Sequence, residues 1–330
     1  MPEGPEVRRH ADALGRLLEG KPIVELSARN RNAKAWLEAH PDALAGRRIE
    51  RIRSHGKNLV GWIEGGYYFY SHLMMWGRWQ IVSGAAPAEK DRRERARIVV
   101  QDGAAILFSA PLFEVGEGDP YAQIEFLGRL GPDILPYPNE GPFNAEAFLA
   151  RLLSPENRKR TVGAALLDQQ ISAGIGNYLR AEILFVCRID PWRTVDALTT
   201  GDLDCLCETI PALALRSYTS GGVTVSDEDH ERMKSDPSLV YQLGRRGGTL
   251  YYVFRRTNLP CLRCGDTIRQ LRQMTHEDEE GEKTRIIYFC PTCQGTSVPL
   301  SPSKPKRAKT PVSSPPIALE EEEEPVLAAL

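Results

Sequence analysis

Leu166-Leu167-Asp168-Gln169-Gln170-Ile171-Ser172-Ala173-Gly174-Ile175-Gly176-Asn177-Tyr178-Leu179-Arg180-Ala181-Glu182 lies near the middle of a 330-residue chain, and its reading decides the fold. An apolar helix ends in it, two glycines make consecutive tight turns, and Asn177 stands where a cap for a second helix is expected. The first N–H groups of a helix have no intrahelical partner. Those of this second helix are therefore expected to point outward as a ready phosphate site, with Asn177 and Tyr178 as candidate DNA contacts. A helix pair with such a double turn points to nucleic acid, and a plain αα-hairpin is the blander alternative.

Downstream, Cys261-Leu262-Arg263-Cys264 and Cys290-Pro291-Thr292-Cys293 have the spacing of a closed tetrahedral site. Four thiolates leave no open position for catalysis, so the expected cofactor is one structural zinc ion, held by Cys261, Cys264, Cys290 and Cys293. Between the pairs, segments 267–273 and 283–289 read as a two-stranded hairpin carrying Arg269, Arg272 and Arg285, enough charge to grip DNA or simply solvated faces. Seven cysteines, four of them so paired, suggest metal in a reducing compartment and not a disulfide framework.

Upstream, short segments rich in β-branched and aromatic residues (23–26, 49–53, 59–63, 67–72, 79–82, 97–101 and 105–109) are punctuated by turn signals such as Gly65-Gly66 and Asp102-Gly103, which suggests a β-sandwich or barrel. Within them, Ser54-His55-Gly56-Lys57-Asn58-Leu59 places a lysine after a glycine in a tight turn. There it could pair with a phosphate, or be an ordinary exposed turn lysine. After Pro120 the pattern becomes helical, with 145–153, 162–170, 178–186 and 203–215 as helices. From about Pro299 the text is Ser, Pro and Lys followed by five consecutive Glu, too polar to bury a core, and is expected to be disordered.

The chain begins Met1-Pro2-Glu3-Gly4-Pro5-Glu6. Removal of Met1 would leave Pro2 as a free secondary amine just ahead of a helix whose apolar positions are Val7, Ala11, Leu14 and Leu18. The helix N-terminus disfavours an ammonium, which keeps part of that amine neutral and nucleophilic, and Glu3 and Glu6 flank it as potential proton donors or acceptors. A start codon followed by a capped helix is the plainer alternative.

Net charge of −2 argues against a uniformly basic nucleic-acid binder but leaves room for a basic face, since acidic runs at 227–231, 277–282 and 320–324 offset clusters such as Arg158-Lys159-Arg160. A composition of 42% hydrophobic residues is ordinary for a globular protein, and no apolar run approaches membrane-spanning length. With charges already at Arg8 and Arg9, the expectation is an unexported cytoplasmic protein, nucleoid-associated if bacterial, with no membrane partner.

Taken together, the five-residue Pro-Glu-Gly-Pro-Glu start, His55-Gly56-Lys57, the glycine-rich double turn and the four-cysteine hairpin resemble the formamidopyrimidine-DNA glycosylase and endonuclease VIII family of base-excision repair enzymes, from Pro2 to about Gln294. The resemblance implies an α+β fold: an N-terminal β-sandwich with a leading helix over 1–130, a helical domain with helix-two-turn-helix over 131–250, a zinc-binding β-hairpin over 251–297 and a tail over 298–330. Gly4 is similar to the endonuclease VIII branch. Met74, Met75 and Trp76 match the loop that fills the hole left by a flipped base, with plain core as the alternative for such an apolar trio, and Ser109-Ala110-Pro111-Leu112-Phe113 lacks the arginine of the other branch's wedge.

By this resemblance the protein would be a monomer that binds damaged double-stranded DNA. Pro2 would form a Schiff base and Glu3 would protonate the sugar oxygen. Lys57, Asn177 and Arg285 would hold phosphates, and Glu6 would support the N-terminal geometry. Oxidised pyrimidines are the expected lesions. An 8-oxoguanine or crosslink glycosylase of the same fold, and a non-catalytic nucleic-acid-binding module, are the alternatives.

Overall fold

Helix α1 (Gly4–Leu18) forms because Pro5 suits a first helical turn and Val7, Ala11, Leu14 and Leu18 fall on one face, all of them buried. The computed structural model describes residues 2–85, 87, 91–244, 248–278 and 281–296. Met1 and the expected tail over 298–330 lie outside the described residues.

After α1 come β1 (Glu25–Ala28), α2 (Arg31–Ala39), β2 (Ile49–His55), β3 (Asn58–Ile63), β4 (Tyr67–His72), β5 (Arg78–Ser83), β6 (Glu94–Val100), β7 (Gly103–Phe108) and β8 (Leu112–Glu117). They build two four-stranded antiparallel sheets, ordered β1-β6-β7-β5 and β2-β3-β4-β8. Ile52, Phe69 and Phe113 of one sheet meet Trp79, Ile98 and Leu107 of the other in one apolar cluster, which α1 joins through Leu14 and Leu18. This is the sandwich that the short β-branched and aromatic segments of the sequence suggested. Two elements were not expected. Helix α2 has an Asn30 cap position but no side-chain cap bond, and β8 shows only a short alternation of Phe113 and Val115.

Beyond the sandwich lie α3 (Pro120–Gln123), α4 (Glu125–Gly128), α5 (Ala145–Leu152), α6 (Val162–Ala165), α7 (Asn177–Val186), α8 (Thr200–Thr219) and α9 (Asp227–Ser235). A second apolar cluster, including Phe148, Leu166, Leu179, Ile183, Leu206 and Ile210, holds this layer together. The expected helix over 162–170 is corrected to the single turn of α6. The Asp168 carboxylate accepts from Gln170 N and pairs with Arg160, and its carbonyl accepts from Ile171 N, a local turn that competes with helix continuation. The acidic run at 227–231 is the start of α9, capped by Ser226, where negative side chains complement the helix dipole.

Strands β9 (Arg269–Asp278) and β10 (Gly281–Phe289) form the expected hairpin, followed by α10 (Pro291–Gln294). A third cluster, with Phe185 of α7 against Val253, Ile287 and Phe289, fixes the hairpin to the helical layer. One disulfide, Cys187–Cys205, joins the end of α7 to α8, where cysteine spacing gave no reason to expect one. No described helix is long and apolar enough to cross a membrane.

Candidate active site

The start of α1, the β2–β3 turn and the double turn before α7 interlock. Gly4 N donates to Gly174 O at 2.9 Å, and Gly56 N donates to the Asp133 carboxylate at 2.9 Å. Gly56 has φ +56°, and a Cβ there would lie 2.6 Å from Gly174 N, so this residue must be glycine for the turn to reach the double turn. Lys57 follows directly, held at the junction of the layers.

At Gly176 a Cβ would stand 2.4 Å from the Glu3 carboxyl carbon. The Glu3 side chain, 2% exposed, accepts from Gly176 N (2.7 Å), Tyr178 N (2.8 Å) and Leu179 N (3.2 Å). The expectation of an outward-facing phosphate site at these amides is therefore corrected: the donors at the start of α7 are taken by Glu3. Asn177 is not the cap either, since Gly176 holds that position and Asn177 is the first helical residue. The reason is tertiary. A carboxylate from the other end of the chain competes for these donors, and the glycines leave room for it.

Burial raises the Glu3 carboxyl to about 7, opposed by nearby Lys57 and by the backbone N–H groups of Tyr178 and Leu179. Burial lowers the Lys57 ammonium, with Glu3 opposing that shift and Arg180 and Arg285 adding to it. The result is a carboxyl group that is part acid near neutral pH, beside Pro2. Glu6 accepts from Glu3 N at 2.9 Å and pairs with Arg9 at 2.8 Å.

Pro2, Glu3, Glu6 and Asn177 open on a cavity of about 760 Å³, together with Met75, Tyr251, Phe254 and Arg285. A neighbouring cavity of about 430 Å³ contains Lys57, His72, Asn177, His276 and Arg285, so Asn177 and Arg285 stand between the two. Tyr178, expected as a DNA contact, is a largely buried post that also lines the larger cavity. It is 5% exposed, its hydroxyl donates to Glu6 at 3.2 Å and meets Ser217 Oγ at 2.9 Å, and its ring packs on Tyr251 and Phe254.

Met74, Met75 and Trp76, a trio that could have been core, are 44%, 54% and 79% exposed on the β4–β5 turn. Met74 adopts φ +52°, and its N–H donates to His72 Nδ1 at 3.1 Å. Burial and Lys57 lower His72 to about 4, so the ring is a neutral acceptor at neutral pH.

Several residues escaped the sequence reading. Arg180, wholly buried, donates to Asn177 Oδ1 (2.7 Å), Gly163 O and Gln273 Oε1 (3.2 Å each) and Ile286 O (3.0 Å), tying α6, α7 and the hairpin together. Burial and Arg285 lower it to about 9, while Glu3 supports its charge. Glu182, also buried, accepts from the backbone N–H groups of Tyr252 (2.6 Å), Val253 and Phe254 (2.9 Å each) and from the Thr224 hydroxyl (2.7 Å). It pins the segment that carries Tyr251 and Phe254. The one available signal was position: both charges sit at inward-facing places of an otherwise apolar helix.

The four hairpin cysteines converge, with all sulfurs within 4.8 Å of one another. Cys261–Cys293 and Cys264–Cys290 Sγ separations are 3.8 and 3.5 Å, against about 3.8 Å for tetrahedral zinc with metal–sulfur bonds near 2.3 Å. The donor set and spacing fit such an ion.

Residues 1–111 match the family described as the formamidopyrimidine-DNA glycosylase N-terminal domain, and residues 130–229 match the formamidopyrimidine-DNA glycosylase H2TH domain. Endonuclease 8 of Enterobacter sp. strain 638 is 32% identical over 301 residues, 89% of this chain and all of that protein. Endonuclease 8 of Klebsiella pneumoniae is 32% identical over 296 residues with the same coverage. The chain belongs to the formamidopyrimidine-DNA glycosylase and endonuclease VIII family. Within it the chain falls in the endonuclease VIII branch. It is a DNA glycosylase and AP lyase of base-excision repair. A solved structure of Lactococcus lactis Fpg in complex with DNA containing an abasic site has the same fold, with a TM-score of 0.68 and 23% identity over 89% of this chain and all of that one. The α+β architecture of sandwich, helix-two-turn-helix and four-cysteine hairpin is thus that of the family.

Proposed function

We propose that the 760 Å³ cavity receives the damaged nucleotide flipped out of duplex DNA and that Pro2, once Met1 is removed, is the nucleophile. The observation that carries this reading is the Glu3 carboxyl, raised to about 7, buried beside Pro2 and locked on the start of α7. The Pro2 nitrogen attacks C1′ of the sugar while the Glu3 carboxyl gives its proton to the ring oxygen, opening the ring. The bond from C1′ to the base breaks, the base leaves with its electron pair and takes up a proton, and an iminium links Pro2 to the sugar. Loss of a C2′ proton expels the 3′ phosphate, and a second elimination expels the 5′ phosphate.

Lys57, Asn177 and Arg285 bind the flanking phosphates in this scheme, supported by their shared cavity wall and by the absence of an ion pair on Lys57 or Arg285 among the described residues. Arg180 orients Asn177. Glu6 holds the Glu3 backbone and so the direction of the amine. Met74, Met75 and Trp76 fill the vacated space in the duplex. The four thiolates hold one structural zinc ion that keeps the hairpin, and with it Arg285, in place.

Every group in the scheme comes from one chain, which supports a monomer acting on damaged double-stranded DNA; a cytoplasmic location, nucleoid-associated if the protein is bacterial, is proposed with it. The boundaries 1–130, 131–250 and 251–297 are proposed for the three folded parts; separate apolar clusters support the first two, and the third part shares its cluster with Ala181 and Phe185 of the second.

Oxidised pyrimidines are the proposed lesions. The exposed wedge is apolar and the Ser109–Phe113 stretch has no arginine, so the base opposite the lesion receives few directional hydrogen bonds. The test uses borohydride trapping on duplexes with thymine glycol opposite adenine or 8-oxoguanine opposite cytosine. Native protein should trap the first faster, and Pro2→Gly should trap neither while still binding both. Preference for the second duplex overturns the lesion assignment, and trapping by Pro2→Gly overturns the nucleophile.

A further inference from the structure

The end of the sandwich that carries the wedge also carries an arginine cluster with no role in the chemistry above. Arg78 follows the Met74–Trp76 turn, and its guanidinium lies 5.2 Å above the Phe108 ring. Phe108 pairs with Glu94, and the next residue, Ser109, donates from its N–H to Arg93 O at 2.9 Å. From the other side, Asn30 Nδ2 donates to Pro111 O at 2.7 Å, which fastens the 109–111 turn to the start of α2. Arg29, just before it, reaches Asp91 O and Arg92 O at 3.1 and 3.3 Å. Arg29, Arg31, Arg78 and Arg92 are therefore gathered around the two wedge turns, and all four are exposed.

None of the four pairs with a carboxylate among the described residues. The two acids within the cluster are engaged elsewhere: Asp91 by Arg93 at 2.8 Å, and Glu94 by Arg97 at 2.8 Å, both of the latter buried. In a chain of net charge −2, four unpaired guanidinium groups on one small surface are a strong local positive field.

We propose that this surface binds the backbone of the undamaged strand opposite the lesion. Asn177 and Arg285 line the cavity that takes the flipped nucleotide, as does Met75 of the wedge, and Lys57 lines the neighbouring one, whereas the arginine cluster lines neither, so the phosphate row it reaches beyond the wedge belongs to the partner strand. The inference rests on the reading of the protein as a duplex-DNA enzyme and deepens it. Where the wedge offers no donor to read the opposite base, arginines beside it hold that strand by its phosphates. Phosphate contacts position without carrying sequence information, consistent with weak discrimination of the opposite base.

The experiment compares Arg29→Ala/Arg31→Ala/Arg92→Ala with native protein on abasic-site DNA, duplex and single-stranded, across a salt series. For duplex, affinity should fall at least tenfold, and the slope of log K against log salt should shrink by about 2 to 3, at ~0.9 for each phosphate that is no longer neutralised. For the single strand, affinity and borohydride trapping should stay within twofold. The triple lysine variant should restore the duplex slope, which separates charge from misfolding. Equal losses on both substrates, or no loss on duplex, overturn the proposal. Failure of native protein to trap either substrate would instead defeat the reading of the active site.

Discussion

Replacing Glu182 by Gln separates base excision from strand cleavage. The Glu182 carboxylate is buried and receives three backbone N–H groups from residues 252–254 and the Thr224 hydroxyl, all within 2.9 Å. An amide keeps one acceptor oxygen and turns an NH₂ toward donors that the second oxygen satisfied. Hydrogen bonds to a charged group are worth about 1.5–3 kcal/mol each, so two affected bonds weaken the tether of this segment by about 3 kcal/mol at the lower end. That corresponds to a roughly hundredfold change in the ratio of held to released segment. Leu250, Tyr251 and Phe254 of this stretch face the cavity proposed for the flipped nucleotide, whereas Pro2 and Glu3 are held from α1 and the start of α7. A lesion base needs the walls, and a pre-formed abasic site does not. Excision of thymine glycol, measured by single-turnover kinetics, should therefore fall at least tenfold, while trapping on abasic DNA stays within about twofold and the far-ultraviolet circular dichroism is unchanged. An equal loss on both substrates, or full excision, would refute the reasoning.

Two further outcomes are expected. Glu3 ionises in the unfolded chain at its ordinary 4.5 and in the fold at about 7, so the folded protein holds the proton more tightly. The stability owed to that proton is complete below pH 4.5 and is lost as pH climbs through 7, roughly 3 kcal/mol in all. Thermal melting should accordingly shift in favour of Glu3→Gln over native protein between pH 5 and pH 8, and native base excision should decline above about pH 7; a flat melting difference would place the Glu3 carboxyl at its ordinary value. Zinc removal by a chelator, or Cys290→Ser, forfeits binding energy on the order of 10 kcal/mol and should loosen the hairpin that supplies Arg285 and Gln273. Metal content by mass spectrometry and duplex affinity should fall together, and unchanged affinity in metal-free protein would show that the hairpin stands without it.

Local chemistry was legible in the sequence. The period of Val7, Ala11, Leu14 and Leu18 dictated α1, the β-branched and aromatic content of seven segments dictated most of the sandwich, and Cys-x-x-Cys spacing dictated the four-sulfur cluster, because each depends only on residues close in the chain or on one repeated geometry. The five-residue start and the glycine-rich double turn were legible as motifs too. Their relation was not. The sequence alone suggested open amides at the start of α7, but a carboxylate 173 residues away in the chain fills them. It also left Met74, Met75 and Trp76 open to a core reading, whereas the β4–β5 turn lifts them into solvent. Arg180 and Glu182 gain their roles only when α7 lies between the hairpin and residues 252–254, and the arginine surface exists only because the end of β1 and the starts of β5 and β6 fall at one end of their sheet. Periodicity and spacing set what each segment can form. Which buried charge meets which donor depends on long-range packing, where desolvation makes an unmatched partner so costly that a single arrangement prevails.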